Sequence, residues 1–322
     1  MSDARAFWVA LALGSSVLLA APEPEVAKAK PSGLGVAISP AHFPNTSEQD
    51  LSDFFNLAAR MGSHVGLITD WNAMVPPDDL RNLMAASRAK GLEFHLTLSP
   101  ITLYGGRKDP AIPPRVKGAS FGDPEVRSAF LKDALALADL NPDSLGLGTE
   151  VNLLARNPAE FKHYVSLSQE VYQAVKRKHP SLTVTISFQW DVLLTQKQFD
   201  LLPLFQSSLD VYSFTTYPSA FKKPALIPED YYACIRKLLP RERIEFSEVG
   251  WSSDEGGEEA QAAYLARLPE LMREARPEHV TLALLHDVKA FKAELSSLNA
   301  TGIRRFDGPP KKAWETVLRL KF

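Results

Sequence analysis

The stretch LGLGTEVNLL, residues 145–154, begins like a buried strand and stops at a carboxylate. Residues 145–148 are small or apolar, which is the composition of a parallel strand that is covered on both faces. Glu150 follows, with Thr149 and Asn152 close to it in the chain. A charge at the end of a buried strand costs free energy unless it is paired or used. The stretch therefore predicts a covered parallel sheet and a candidate functional carboxylate at one strand end.

Seven further β-rich runs accompany this one, and stretches of helical period separate them. The eight strand candidates are residues 34–40, 64–72, 93–100, 144–152, 183–191, 209–218, 243–251 and 279–287. Helix boundaries are indicated by Thr46 and by Asp123-Pro124 at starts, and by Gly62, Gly91 and Pro180 at ends. Eight strands, each followed by a helix, is the count of a (β/α)8 TIM barrel, an α/β fold. We therefore predict a single-domain barrel over residues 34–322.

The main alternative is a doubly wound open sheet. That fold usually has fewer strands, and no glycine-rich dinucleotide fingerprint follows the first strand candidate. One barrel accounts better for the count.

Composition narrows the class of protein. Hydrophobic residues make up 45% of the chain, enough for a sizeable core, and the formal charge of −2 argues against a nucleic-acid partner. Cys234 is the only cysteine, so the chain forms no internal disulfide and no thiolate metal site. The sequence implies no stable protein partner.

The N-terminal residues resemble a targeting segment. Residues 1–21 contain an apolar run after a short polar start, which is typical of a signal peptide, with an uncleaved membrane anchor as the alternative. Residues 22–33 are rich in Pro, Ala, Lys and Glu and are predicted to be a linker. Export without disulfides favours a bacterial periplasmic or extracellular location.

Polar and aromatic residues gather where the predicted strands end, and in a barrel these ends build the active-site face. They are Asp70, Trp71 and Asn72; Thr149, Glu150 and Asn152; Gln189, Trp190 and Asp191; Tyr217 and Pro218; Glu248 and Trp251; and His286 and Asp287. Aromatic faces stack on the C–H surface of sugars, so we expect Trp71, Trp190 and Trp251 to line a carbohydrate cleft, with rim packing as the alternative. The basic loop at 103–118 borders a substrate subsite or is a solvated surface loop.

Glu150 and Glu248 are expected to face each other, because strands 4 and 7 lie on opposite sides of an eight-stranded barrel. Glu245, three residues before Glu248, should point to the opposite face by the strand period of two. Two facing carboxylates are what glycoside hydrolysis requires, at about 5 to 5.5 Å for retention and roughly 6.5 to 9.5 Å for inversion.

Four motifs resemble those of the clan A glycoside hydrolases. They are GLGTEVN (146–152), FTTYP (214–218), FSEVGW (246–251) and TGIRRFDGPPKKAW (301–314). The resemblance covers residues 34–322 and implies a retaining (β/α)8 enzyme. It implies that Glu150 is the acid/base, that Glu248 is the nucleophile, and that Tyr217 donates a hydrogen bond to the nucleophile.

Two positions depart from the pattern of that family. Thr149 stands where the family usually has an asparagine that binds the sugar 2-hydroxyl. Threonine can still form a hydrogen bond, but it is shorter, so the contact is lost or moves to Asn152. The last strand lacks the usual tryptophan at its end, so either His286 or Asp287 contacts sugar hydroxyls instead or the site has drifted from that of the family.

The sequence as a whole predicts a retaining β-glycosidase that acts on a polysaccharide or oligosaccharide. It has no compact metal-ligand spacing and no Gly-x-Ser-x-Gly elbow, so we expect neither a metal nor another cofactor in catalysis and no common esterase chemistry. His95 lies in mid-strand and is interpreted as a core histidine. The alternative is a non-catalytic carbohydrate-binding or cell-envelope protein on a degenerate barrel, because of Thr149 and the missing tryptophan.

Overall fold

The computed structural model describes residues 33–322, and the strands of this part of the chain close into one parallel barrel in sequence order. The strands are β1 Leu34–Ala37, β2 His64–Asp70, β3 Glu93–Ser99, β4 Ser144–Leu147, β5 Thr183–Gln189, β6 Val211–Thr216, β7 Arg243–Val249 and β8 Val280–Leu282. Each pairs in parallel with the next, and β8 pairs with β1. The predicted (β/α)8 fold is confirmed.

A helix follows each strand and covers the outside of the barrel. The helices are α1 Glu48–Met61, α2 Pro77–Ala89, α3 Pro124–Ala138, α4 Pro158–Lys178, α5 Trp190–Gln196, α6 Ala233–Leu238, α7 Gly257–Leu271 and α8 Lys312–Val317. None of the helices in the described part of the chain combines the length and the hydropathy of a membrane span. The signal or anchor segment predicted at 1–21 and the linker predicted at 22–33 lie outside the described residues, apart from Gly33.

The apolar core lies between the strands and the helices, whereas the barrel interior is largely polar. On β2, Val65 and Leu67 alternate with His64 and Gly66, and the interior-facing His64 bonds to the Thr281 hydroxyl at 2.8 Å. Because side chains alternate along each strand, apolar side chains face the helices, and hydroxyl and imidazole side chains face the barrel interior.

A β-bulge in β7 overturns one sequence expectation. Phe214 pairs with Phe246, but the next residue of β6, Thr215, pairs with Glu248, so β7 carries one extra residue at this point. Glu245 pairs with Ser213 below the bulge. Ser213 and Thr215 are two residues apart and face the same way, so Glu245 and Glu248 both face the interior. The prediction of opposite faces was wrong because the extra residue resets the period.

β4 is shorter than predicted, and so is β8. The chain leaves β4 at Gly148, whose φ is 108°, and Glu150 then adopts a left-handed backbone with φ 53°. That conformation is uncommon for a residue other than glycine and costs on the order of 1 kcal/mol. A 3₁₀ helix over Val151–Arg156 follows directly. The backbone turn thus sets the place of the Glu150 side chain.

Most predicted helix boundaries agree with the structure. Asp123 is the N-cap of α3 with Pro124 at its first position, Gly62 ends α1, and α4 ends before Pro180. Thr46 was the wrong start for α1. Ser47 is the N-cap and forms a capping box, because its hydroxyl accepts from the backbone N–H of Asp50.

Candidate active site

Two side chains fix the Glu150 carboxylate where the strands end. The Thr215 hydroxyl of β6 donates to one oxygen at 2.8 Å. The Arg107 guanidinium lies 2.7 Å from the other oxygen, and both members of this ion pair are only 13% and 12% exposed. These two contacts hold the Glu150 carboxylate in one orientation, in a place that is shielded from water.

Glu248 lies in the same group of side chains. The Tyr217 hydroxyl donates to its carboxylate at 2.6 Å. Burial raises the pKa of Glu248 to about 7, the negative charge of Glu150 adds to the rise, and Tyr217 and Arg107 oppose it. Thr215 pairs with Glu248 across β6 and β7 and also donates to Glu150, so the structure brings the two glutamates together. We call Asp70, Arg107, Glu150, Tyr217 and Glu248 the mouth cluster.

Tyr217 is held by backbone and packing. Its N–H donates to the Asp191 carboxylate at 2.7 Å. Gly250 lies against its ring, and a Cβ at that position would come within 2.5 Å of a ring carbon, so only glycine leaves room for the ring. Burial and the neighbouring Glu248 raise the pKa of Tyr217 well above its usual range, so the hydroxyl stays a neutral donor.

The segment that carries Arg107 crosses the face where the strands end. It is part of the loop between β3 and α3, and its strand-like ends pair Ile101 with Pro110. Arg156, which follows β4, donates to the Gly106 carbonyl at 3.2 Å. The Gly105 N–H donates to Glu294, which follows β8, at 3.1 Å. The loop is therefore tethered on two opposite sides of the barrel and closes over the mouth cluster.

Two further polar residues contribute to the electrostatics. Burial raises the pKa of Asp70 to about 6, and the nearby Arg107 opposes this rise. The Thr149 hydroxyl is buried and makes no hydrogen bond of good geometry, yet it lies close enough to Glu248 to favour the ionised carboxylate. Thr149 therefore belongs beside the carboxylates, where the sequence placed it.

The three tryptophans expected in the cleft are buried on the helix side of the barrel wall. Trp71 donates to Asp133 of α3 at 2.7 Å, Trp190 contacts Phe214 edge-on, and Trp251 packs against Tyr264 of α7. Their exposed fractions are 1%, 0% and 2%, so none offers a free face for a sugar. Their positions at strand ends did not predict which way the side chains point, because the chain has already turned outward toward the next helix at each tryptophan.

Three other predicted site residues, Asn152, His286 and Asp287, make contacts within the barrel framework. The Asn152 side chain is buried and accepts from the Gln189 N–H at 2.8 Å. His286 is buried against the Ser39 carbonyl at 3.0 Å, and Asp287 pairs with Lys311 at 2.7 Å. Within residues 33–322 no hydrogen bond or ion pair joins these three to Glu150 or Glu248.

The site contains two residues that the sequence analysis did not name, Thr215 and Arg107, whereas Asp70 was already among the strand-end residues. Thr215 lies at a strand end and had a signal, namely its place in the interior-facing alternation. For Arg107 the sequence offered no signal except that it lies in the basic loop at 103–118. Loop residues follow no period, and the residues that they contact depend on the tertiary path of the chain.

No family model matches the chain, and no curated protein matches it. Solved structures do resemble it. An exo-β-1,4-mannosidase from Opitutaceae bacterium strain TAV5 is 16% identical with a TM-score of 0.71, covering 94% of this chain and 61% of its own. A family 39 glycoside hydrolase from Bacteroides cellulosilyticus WH2 is 19% identical with a TM-score of 0.62, covering 90% and 63%. A GH5_18 variant from Streptomyces cattleya in complex with Manβ1-4GlcNAc is 17% identical with a TM-score of 0.68, covering 89% and 79%.

These likenesses confirm the barrel fold that the clan A motifs implied. At such low identity they establish the fold alone. The chain spans 61% and 63% of the length of the first two of these proteins, which are therefore considerably longer.

Proposed function

We propose that this protein is a retaining β-glycoside hydrolase that acts on an oligosaccharide or polysaccharide. The observation that carries the proposal is the placement of Glu150 and Glu248 in one shielded cluster at the ends of β4 and β7, where Thr215 pairs with Glu248 and donates to Glu150. The Tyr217 hydroxyl on Glu248 supports it, because a nucleophilic carboxylate must be held in one orientation.

The reaction has two steps. Glu248 attacks the anomeric carbon as the bond to the leaving oxygen breaks, and Glu150 gives its proton to that oxygen. Glu150 then takes a proton from water, whose oxygen displaces Glu248 from the sugar. The first step requires a protonated Glu150 and an ionised Glu248.

In the ligand-free arrangement Arg107 is paired with Glu150 at 2.7 Å, and burial raises the pKa of Glu248 to about 7. Substrate must therefore displace Arg107 from Glu150, so that Glu150 can carry the proton that it gives to the leaving oxygen. The loop that carries Arg107 therefore moves away from the mouth cluster when substrate binds.

The substrate class and the location belong to the same proposal. Because structural neighbours include an exo-β-1,4-mannosidase and a complex with Manβ1-4GlcNAc, β-mannosides are the first substrates to test. Export to a bacterial periplasm or exterior, with a cleaved signal or an anchor, rests on the sequence of residues 1–21.

A panel of β-linked glycans with product analysis tests this function. Glu150→Gln and Glu248→Gln should each reduce kcat/KM by at least about a thousandfold while the far-ultraviolet circular dichroism stays unchanged. Glu170→Gln is the matched control, since Glu170 pairs with Arg127 on the outer helices. Near-normal turnover in either mouth variant would refute the mechanism.

One observation favours a second candidate, a non-catalytic carbohydrate-binding protein on the same barrel. Arg107 occupies the carboxylate that should act as the acid, and the three tryptophans are turned away from the mouth. The same panel separates the two functions, because this candidate binds a glycan that it leaves uncleaved at every pH.

A further inference from the structure

A second cluster of titratable side chains lies at the opposite end of the barrel from Glu150 and Glu248. Glu93 and His95 lie two residues apart at the start of β3 and so face the same way. His279 directly precedes β8 and reaches the same place. We call Glu93, His95 and His279 the floor cluster.

The spacing of the floor cluster is that of metal ligands. A Glu93 carboxylate oxygen lies 3.4 Å from Nε2 of His95 and 3.7 Å from Nε2 of His279. One ligand atom from each of the three residues lies within 4.8 Å of the others. Tetrahedral Zn²⁺ with bonds of about 2.0 to 2.2 Å places its ligand atoms about 3.4 Å apart. Two of the three separations therefore need a change of only a few tenths of an ångström.

A buried carboxylate stands behind one of the imidazoles. Glu245 is 6% exposed, and its carboxylate lies 3.8 Å from Nδ1 of His279, the ring nitrogen that does not face Glu93. Such a carboxylate holds a ligating histidine in the tautomer that leaves Nε2 free for the metal. Glu245 lies before the bulge of β7, and its regular pairing with Ser213 directs it into the interior, next to this ring.

His64 fixes the plane of the other imidazole. Its ring stacks on His95 with centroids 4.5 Å apart and an interplanar angle of 11°. His64 is fully buried and bonded to Thr281 at 2.8 Å, so it cannot turn away. Both imidazoles of the floor cluster thus have a packed support, which lowers the cost of ordering them around an ion.

We propose that the floor cluster binds one Zn²⁺ ion, with Glu93, His95 and His279 as ligands and Glu245 as the support of His279. The side chains are 52%, 13% and 28% exposed respectively, so the ion enters from solvent and water completes the fourth position. Imidazole with carboxylate suits zinc, whereas Mg²⁺ and Ca²⁺ prefer oxygen ligands alone. The ion links β3 to the chain entering β8, at the end of the barrel where stability is usually decided.

Calorimetric titration of the full chain with zinc chloride, after removal of metals with a chelator, tests the site. We expect one saturable zinc site, no response to Mg²⁺ or Ca²⁺, and a rise in the melting temperature with zinc. Glu93→Gln should weaken zinc binding at least about tenfold without a risk to folding, because this side chain is half exposed. Glu245→Gln should weaken it by about ten- to a hundredfold.

His179→Gln is the matched control. His179 also pairs with a carboxylate, that of Asp139 at 2.8 Å, but on the outer surface. Its loss should leave the zinc affinity unchanged. The proposal is overturned if no saturable site appears, if Glu93→Gln and His95→Gln bind zinc as tightly as the unsubstituted chain, or if His179→Gln causes the same loss.

Discussion

At the scale of single residues, the positive charge of Arg107 acts on the carboxyl groups of the mouth cluster. The guanidinium is paired with Glu150 at 2.7 Å and also lowers the pKa of Glu248 and of Asp70. Removal of this one positive charge should therefore raise the pKa of both Glu248 and Asp70.

Arg107→Met should move the acidic limb of the pH profile of kcat/KM to higher pH, by about one unit or more. The reason is that Glu248, which must be ionised to attack, loses the positive charge that lowers its pKa. Infrared difference spectra of the protonated carboxyl should show the same movement without any substrate. Arg107→Lys keeps the charge and serves as the control. A profile unchanged in Arg107→Met would mean that the ion pair plays no part in the titration.

Glu248→Gln should stabilise the protein in alkaline solution. The pKa of Glu248 is about 7 in the folded chain against about 4.5 for a glutamate in water, so protonated Glu248 contributes stability that is full below about pH 4.5 and lost as the pH rises through 7. The difference amounts to about 3 kcal/mol at most. Urea unfolding at pH 4 and pH 8 should give a gain in the free energy of unfolding only at pH 8. An equal gain at both values would contradict the assignment.

The sequence located the carboxylates of the site but not its cation. Glu150 and Glu248 follow runs with little other charge, and the strand count places them at the same face. Arg107 reaches Glu150 through a loop whose path depends on tethers to Arg156 and Glu294, and no local pattern encodes those tethers.

At the scale of elements, strand and helix positions followed from hydrophobic period, whereas their ends depended on single hydrogen bonds and backbone angles. β4 ends at Gly148 because the backbone turns to positive φ there. The period of two failed in β7 because an unpaired extra residue leaves no mark in the sequence. The start of α1 was one residue away from the prediction, since Thr46 and Ser47 are equally good caps by type.

The capping box of α1 gives the prediction at this scale. Ser47→Ala should lower the free energy of unfolding by about 1 kcal/mol, because the Asp50 N–H loses its acceptor at the first turn. Thr46→Ala is the matched control, since its hydroxyl makes only a 3.3 Å bond to the Ala41 carbonyl. Chemical denaturation of both variants measures the difference. A larger loss of unfolding free energy in Thr46→Ala than in Ser47→Ala would mean that Thr46, the residue predicted from the sequence, is the N-cap.

At the scale of the whole molecule, the polar interior makes the barrel depend on small residues. Gly146 faces Thr97 on the neighbouring strand, and a Cβ there would lie 2.4 Å from the Thr97 hydroxyl and 2.9 Å from its Cβ. The Cβ of Thr97 cannot rotate away, so the backbones would have to separate. At Gly66 an added Cβ would lie 3.4 Å from the Thr281 methyl carbon, which is an ordinary van der Waals contact.

Gly146→Ala should therefore destabilise the barrel by about 1 to 3 kcal/mol through overpacking. Gly66→Ala, at an interior strand position of the same kind, should be close to neutral. Thermal unfolding of the two variants side by side makes the comparison. Equal melting temperatures would mean that the interior adapts to added volume more freely than its hydroxyl packing suggests.

The extra residue in β7 also uncouples the two ends of the barrel. Below it Glu245 keeps its pairing with Ser213, and above it Glu248 takes its place from Thr215. A change of strand length above this point moves the carboxylate at one end and leaves the side chains at the other end in register. During divergence, one end of the molecule is therefore free to lose or gain chemistry while the other retains its own, and an engineer can alter either end separately.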